Sequence, residues 1–194
     1  MTRIIAGYAG SLRLEVPGAG TRPTSDRVRE AIFSSLEARD LLRGARVADL
    51  YAGSGALGLE ALSRGAASVV LVDKAKQAIV ACRSNAARVK AAAPSGSSPI
   101  VDIVAQSVQS FLENSAATWD LVFVDPPYDL SDDALASTLE LLAPRLAPDA
   151  VVAIERDSRS AGPAWPAGLT PVRSSKYGDT TVWWAGFGAH GSSI

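Results

Sequence analysis

The sequence predicts an α/β fold: a mostly parallel, doubly wound sheet with helices on both faces and an antiparallel hairpin at its C-terminal end. Three observations predict it. From about residue 46, short apolar runs alternate with amphipathic helical stretches, the pattern of linked strand–helix–strand units. The first of those runs empties into a glycine-rich turn, VADLYAGSGALGLE (47–60), where a helix begins. The last two strand-like runs, 170–177 and 180–186, flank Gly178-Asp179, a hairpin turn signal.

Taken in order, residues 3–8 and 12–16 read as two short strands joined by Ala9-Gly10-Ser11, an N-terminal hairpin. Pro17-Gly18-Ala19-Gly20 is a connector, after which Thr24 or Ser25 caps a helix over 26–38 with Val28, Ile32, Phe33 and Leu36 on one face. The glycine turn opens a helix over 57–64 that ends at Gly65. A second strand, 68–72, runs to Asp73, and a helix over 75–89 follows. Residues 91–99 are small and Pro/Ser-rich, hence a loop. A third strand (100–105), a short helix (108–113) and a fourth strand (119–124) come next. A helix over 134–143 stops at Pro144, and 150–154 makes the fifth strand.

A chain of 194 residues with 47% hydrophobic content is long enough for one full core. The expected organisation is an N-terminal hairpin and helix (1–45), a main domain (46–188) and a disordered tail (189–194). The N-terminus carries no charged-then-apolar leader and no long apolar span is present, so a cytoplasmic, membrane-free monomer is expected. Cys82, the single cysteine, excludes disulfides and cysteine-rich zinc sites; its helical setting makes it a buried small hydrophobe. The single histidine, His190, lies in the tail. The chemistry must therefore do without histidine, cysteine or a metal. Net charge is −1, but residues 1–46 carry eight arginines against five acids. Arg22, Arg27 and Arg29 cluster at the start of the first helix, against the helix macrodipole, which points to a use beyond solvation.

Gly53, Gly55 and Gly58 stand at G-x-G-x-x-G spacing, which lets the backbone turn tightly and a ligand approach it. The bland alternative is a strand–turn–helix junction whose glycines only relieve strain. Asp73 weighs against it: twenty residues after Gly53, it suits a carboxylate that accepts hydrogen bonds from ribose hydroxyls. At this point a dinucleotide and S-adenosylmethionine both fit. Asp125-Pro126-Pro127-Tyr128, placed directly after the fourth strand, decides between them. DPPY resembles the motif of enzymes that methylate exocyclic amines of bases, and a dehydrogenase has no use for it. Asp49, before the glycines, likewise resembles the first methyltransferase motif, whose acid lies near the methionine amino group.

The whole chain resembles the RsmD family of 16S ribosomal RNA guanine methyltransferases. The resemblance is carried by Arg3-Ile4-Ile5-Ala6-Gly7, by Arg22-Pro23-Thr24 with Arg27-Val28-Arg29-Glu30-Ala31-Ile32-Phe33, by DLYAGSGALGLEALSRGA (49–66), by DPPY and by Lys176-Tyr177-Gly178-Asp179-Thr180. It implies a Rossmann-like class I methyltransferase with a seven-stranded, mostly parallel sheet, a C-terminal antiparallel hairpin and an N-terminal β-hairpin extension. The implied activity is methyl transfer from S-adenosylmethionine to the N2 amine of one guanine (conventionally 966) of 16S rRNA, in the 30S subunit or an assembly intermediate. Tyr51 stands where Phe is common. Where family members often place Asp or Asn near the adenine, this chain offers only Gln106 and Ser107.

The sulfonium methyl is already activated, so the task is to prepare a poor nucleophile whose lone pair is shared with the ring. The Asp125 carboxylate and the Pro126 carbonyl can accept its two protons, and Tyr128 can stack on the base. The cofactor set is thus Asp49, Tyr51, Gly53, Gly55, Gly58, Asp73, Gln106 and Ser107. The RNA-gripping set is Arg3, on the hairpin, with Arg22, Arg27 and Arg29 at the start of the first helix; the hairpin, residues 1–16, is expected to be dispensable to the fold. Trp183 and Trp184 point to opposite faces of the last strand, one into the core. The rival readings are an NAD(P)-dependent oxidoreductase, resting on the glycines and Asp73 alone, an adenine amino-methyltransferase, and a silent RNA-binding assembly factor.

Overall fold

A computed structural model describes residues 2–18 and 25–188. The elements run α1 (Asp26–Glu37), β1 (Arg46–Leu50), α2 (Ala56–Ser63), β2 (Ser68–Asp73), α3 (Lys76–Ala91), β3 (Ile100–Ala105), α4 (Val108–Asn114), β4 (Trp119–Val124), α5 (Asp132–Leu142), β5 (Leu146–Asp157), β6 (Leu169–Tyr177) and β7 (Thr180–Phe187). They form a seven-stranded sheet of order β3-β2-β1-β4-β5-β7-β6. The first five strands are parallel, while β7 returns antiparallel to β5 and β6 antiparallel to β7. The fold class read from the sequence stands. The strand order reverses between β1 and β4, and at such a switch point a crevice opens beyond the carboxyl ends of the strands.

The central strands are buried on both faces, which is why they read as continuous apolar runs. Along β4, Leu121 and Phe123 join the core cluster that holds Phe33, Leu59 and Cys82. Val122 and Val124 join the opposite cluster with Leu112 and Leu139. Helices α1, α2 and α3 thus cover one face, and α4 and α5 the other. Ser25, Ser107 and Ser131 cap α1, α4 and α5, each hydroxyl accepting from the N–H three residues on. Strand β5 starts earlier than the apolar run suggests, with a register shift against β4 between Trp119 and Leu121. Trp184 is buried beneath the Arg173 guanidinium, 4.9 Å from its ring centroid. Trp183 is half-buried on the other face against Gly162, so both tryptophans pack.

The N-terminal segment departs from expectation. Residues 2–18 do form a hairpin, but one without full strands: Arg3 bridges Arg13, Ile4 N–H donates to the Leu12 carbonyl and Leu14 N–H to the Thr2 carbonyl, each at 2.9 Å, and the hairpin lies against α2. Ile4 and Leu14 sit in the main core cluster. The buried Glu60 carboxylate accepts from the N–H groups of Ile5 (2.6 Å) and Ala6 (3.0 Å). Ser63 accepts from Ala9 N–H and donates to the Ala6 carbonyl. A Cβ on Gly7 would lie 1.9 Å from the Ser63 carbonyl oxygen, so only glycine lets the segment come this close. The segment is a cover over the core, welded down by polar groups of α2. The tail (189–194) and His190 lie outside the described residues.

Candidate active site

Past Leu50 the chain climbs over the sheet edge through left-handed residues: Tyr51 (φ 65°), Gly53 (φ 56°) and Gly55 (φ 76°). Gly55 occupies the cap position of α2 and has no side chain to close the helix start. Asp49 does this from inside β1, its Oδ2 accepting from Gly58 N–H at 2.8 Å. A carboxylate suits the positive end of a helix. Gly58 is where helix meets sheet, for an added Cβ would lie 2.5 Å from Leu71 and 2.7 Å from Val69. Asp49 is 1% exposed and, like Gly55 and Gly58, does not line the cavity above. These residues build the loop from behind. Gly53 does line the cavity, and nothing lies within 4 Å of where its Cβ would be.

Asp73, at the end of β2, accepts from Gly53 N–H at 2.9 Å through one oxygen and from Ala75 N–H at 2.8 Å through the other. A carboxylate has about four acceptor sites, so capacity remains for two hydroxyls on its cavity side. Ser107 also lines the cavity, although its hydroxyl accepts from Ser110 N–H as the cap of α4. Gln106 does not line it. Gln109, three residues along and inside α4, does, a residue that a reading of the loop alone did not single out. Cys82 sits behind the loop, its thiol donating to the Gly53 carbonyl at 3.4 Å. Burial, reinforced by the charges of Asp49 and Asp73, pushes that thiol far up, so it packs and does not attack.

The DPPY loop closes the other side. Asp125 N–H donates to the Leu50 carbonyl at 3.3 Å, fastening the end of β4 to the end of β1. Asp125 is half-buried, Pro126 buried and Tyr128 54% exposed. Leu130 N–H returns to the Pro127 carbonyl at 3.0 Å, making a tight turn before α5. Two supports were not legible in the sequence. Arg156, buried on β5, donates to the Leu130 carbonyl at 3.1 Å and to Asp132 at 2.8 Å. Tyr51 meets Thr138 of α5 at 3.2 Å; Thr138 already donates to the Ala134 carbonyl, so the Tyr51 hydroxyl is the donor. Neither Arg156 nor Thr138 belongs to a motif, and only a long-range contact reveals its role.

Glycine loop, Asp73 and DPPY open on one cavity of about 780 Å³, large enough for a nucleoside cofactor and an incoming base. Its field is acidic. Burial holds the Asp49 carboxyl well above the usual range, and the nearby charges of Asp125 and Asp73 push it further, against the Gly58 hydrogen bond. A cavity so charged attracts a cation-bearing ligand. Val16, Pro17 and Gly18 form part of its wall. Asn85 holds that strap in place, accepting from Glu15 N–H (2.8 Å) and donating to the carbonyls of Glu15 (2.8 Å) and Ser54 (2.9 Å).

The arginine set divides. Arg29 has an exposure of 0%, donating to the Arg3 carbonyl at 2.7 Å and to Asp26 at 2.6 Å, so its assignment to RNA is corrected to an internal tie. Arg3 and Arg27 are exposed, Arg3 lying 3.7 Å from Asp26. Arg22 lies outside the described residues. Among the described residues there is no group of His, Cys, Asp or Glu arranged to hold a metal, and no helix long and apolar enough to cross a membrane.

Comparison with known proteins agrees with this geometry. Residues 2–185 match the family model described as conserved hypothetical protein 95. The chain is 37% identical over 168 residues to ribosomal RNA small subunit methyltransferase D of Escherichia coli K12, covering 85% of this chain and 79% of that one. Its counterpart in Haemophilus influenzae is 33% identical over 158 residues, covering 80% and 78%. Among solved structures, yhhF of Escherichia coli superposes with a TM-score of 0.82 at 32% identity, covering 97% and 99%. Magnesium protoporphyrin IX methyltransferase of Synechocystis, with a TM-score of 0.66 at 16% identity over 88% and 87%, shares the fold alone. With one family model spanning nearly the whole chain and a 37% identical relative covering most of it, the chain belongs to the RsmD family of ribosomal RNA small subunit methyltransferases.

Proposed function

We propose that the group methylated is the exocyclic N2 amine of one guanine, presented within the small ribosomal subunit or a precursor particle. The broader activity is that of the family: an S-adenosylmethionine-dependent methyltransferase acting on 16S rRNA. One observation carries the finer reading: DPPY and the glycine loop open on the same cavity, so a planar base held at Tyr128 faces a nucleoside held at Asp73. The residues fit the cofactor. Gly53 leaves the backbone open, Asp73 has spare acceptors for a ribose, and the acidic field favours a sulfonium. When bound, that cofactor supplies a methyl carbon already activated for displacement.

The chain's own residues prepare the amine. The Asp125 carboxylate and the Pro126 carbonyl accept its two hydrogens, favouring a pyramidal nitrogen with its lone pair on the cavity side. Pro126 and Pro127 stiffen the loop, Arg156 braces it from β5, and Tyr51, just past β1, is tied to Thr138 of the following helix α5, so the acceptors need no reorganisation during the reaction. Asp125 is also placed to take the proton that the nitrogen sheds. Tyr128, more than half exposed, stacks on an unpaired or extruded guanine. Arg3 and Arg27 contact backbone phosphates nearby. A dinucleotide oxidoreductase leaves DPPY and its braces without a task. The test is incubation of small-subunit particles with labelled S-adenosylmethionine and mapping of the labelled nucleotide. Label on an adenine, or on none of the RNA, overturns the reading.

A further inference from the structure

With Arg29 internal, the N-terminal cluster offers less charge than the sequence suggested, and a second cationic surface lies on α3. Residues 74–91 contain Lys74, Lys76, Arg83, Arg88 and Lys90 and no acid, a charge of +5 in a chain whose total is −1. The remaining residues therefore sum to −6. Among the described residues α3 is the one α-helix without an acidic side chain. None of its cations forms an ion pair among the described residues. Solvated helix faces ordinarily mix signs at i, i+4 spacing; this one accepts mutual repulsion.

The placement is directional. Lys76, Arg83 and Lys90 recur every seven residues, hence on one face, and are exposed along with Val80 and Ala87 between them. They trace a line of roughly 21 Å. At its Lys76 end the line meets a groove of about 300 Å³ between α3 and the strap, lined by Val16, Pro17, Lys76, Val80 and Ala81. Val16 (37%) and Val80 (64%) are two of the four large hydrophobic residues left exposed in the described chain, and both lie here. Pro17 and Gln77 are shared with the wall of the cofactor cavity, so the groove leads to it.

We propose that this groove and the outer face of α3 carry the RNA strand flanking the target guanine. Val16 and Val80 receive a base or ribose, and Lys76, Arg83 and Lys90 contact successive stretches of backbone. Cations without internal partners, set beside exposed apolar side chains, fit a polyanion with flat apolar bases. The inference rests on the rRNA reading above, and the experiment keeps the two apart. Combine Lys76→Gln, Arg83→Gln and Lys90→Gln, which preserve helix propensity, and measure particle binding and methylation over a salt series. The expected result is affinity weakened by roughly tenfold or more and a log–log salt slope lower by about 2, as for three lost single-strand contacts. The melting temperature and S-adenosylhomocysteine affinity should stay unchanged. Val80→Asp should weaken particle binding in the same direction. If wild-type protein methylates particles and the triple variant matches it in affinity and slope, α3 is not the track, though the activity stands. If binding weakens with no change in slope, the phosphate contacts are wrong. Wild-type protein that neither binds nor labels the RNA overturns both.

Discussion

At the scale of single residues, similar groups have been given different work by burial. Asp125 and Asp49 lie within electrostatic reach of each other, yet Asp125 is half-buried on the cavity and Asp49 closed behind the loop. Asp125→Ala should therefore abolish most turnover while leaving S-adenosylhomocysteine affinity near normal; single-turnover assays beside calorimetry check it, and wild-type turnover would remove the acceptor mechanism. Tyr128→Phe should keep much of the activity that Tyr128→Ala loses, since stacking needs only the ring. Asp49 makes a prediction in pH. Its folded carboxyl holds a proton to well above the pH, about 3.9, at which the unfolded chain releases it. Between those values the folded state binds more protons, so this residue's contribution to stability falls as pH rises. Asp49→Asn keeps an acceptor for Gly58 N–H and removes the charge. Its stability relative to wild type, from urea unfolding between about pH 4.5 and 7.5, should improve as pH rises and then level off. A gap that moves the other way contradicts this account of Asp49.

At the scale of elements, the parallel strands and their helices were legible because each is a local pattern: apolar runs, serine caps and glycine punctuation act over a few residues. The N-terminal segment was not. Its partners, Glu60, Ser63 and Asn85, lie 54 to 70 residues away in sequence, and nothing local distinguishes a cover from an appendage. Arg29 misled for the same reason, because an arginine at a helix start looks solvated until the carbonyl it serves is known. The packing reverses one expectation. Deleting residues 1–16 should abolish cooperative thermal unfolding, since it takes Ile4 and Leu14 out of the core cluster and strips two backbone donors from the buried Glu60. Asn85→Ala is the gentler probe. It leaves the backbone groups of Glu15 and Ser54 without their partner, at a cost of about 1–3 kcal/mol, and should weaken cofactor binding because Ser54 belongs to the glycine loop. A variant with wild-type stability and cofactor affinity would show the strap to be a passive flap.

For the whole molecule, the topology places the site before any side chain does, since the crevice between β1 and β4 is where the strand order reverses. The glycines and DPPY could be assigned to it from the sequence because each directly follows a recognisable strand. Which of them faces the ligand could not, since Gly53, Gly55 and Gly58 differ only in what lies beyond their missing Cβ atoms. The cavity wall is assembled from the N-terminal strap, the glycine loop, the start of α3, the cap of α4 and the DPPY loop. A ligand that bridges these segments binds the folded chain and has no site on the unfolded one, so it should raise the stability of the whole. At a hundred times its dissociation constant the gain is about 2.7 kcal/mol, which for a domain of this size raises the melting temperature by roughly 5–11 °C. S-adenosylhomocysteine should produce that shift and NAD(P) should not. Asp73→Asn, which keeps one acceptor oxygen and loses the charge, should reduce the shift by weakening binding about tenfold or more. A shift produced by the dinucleotide alone would take the cofactor away from this site and the methyl-transfer mechanism with it.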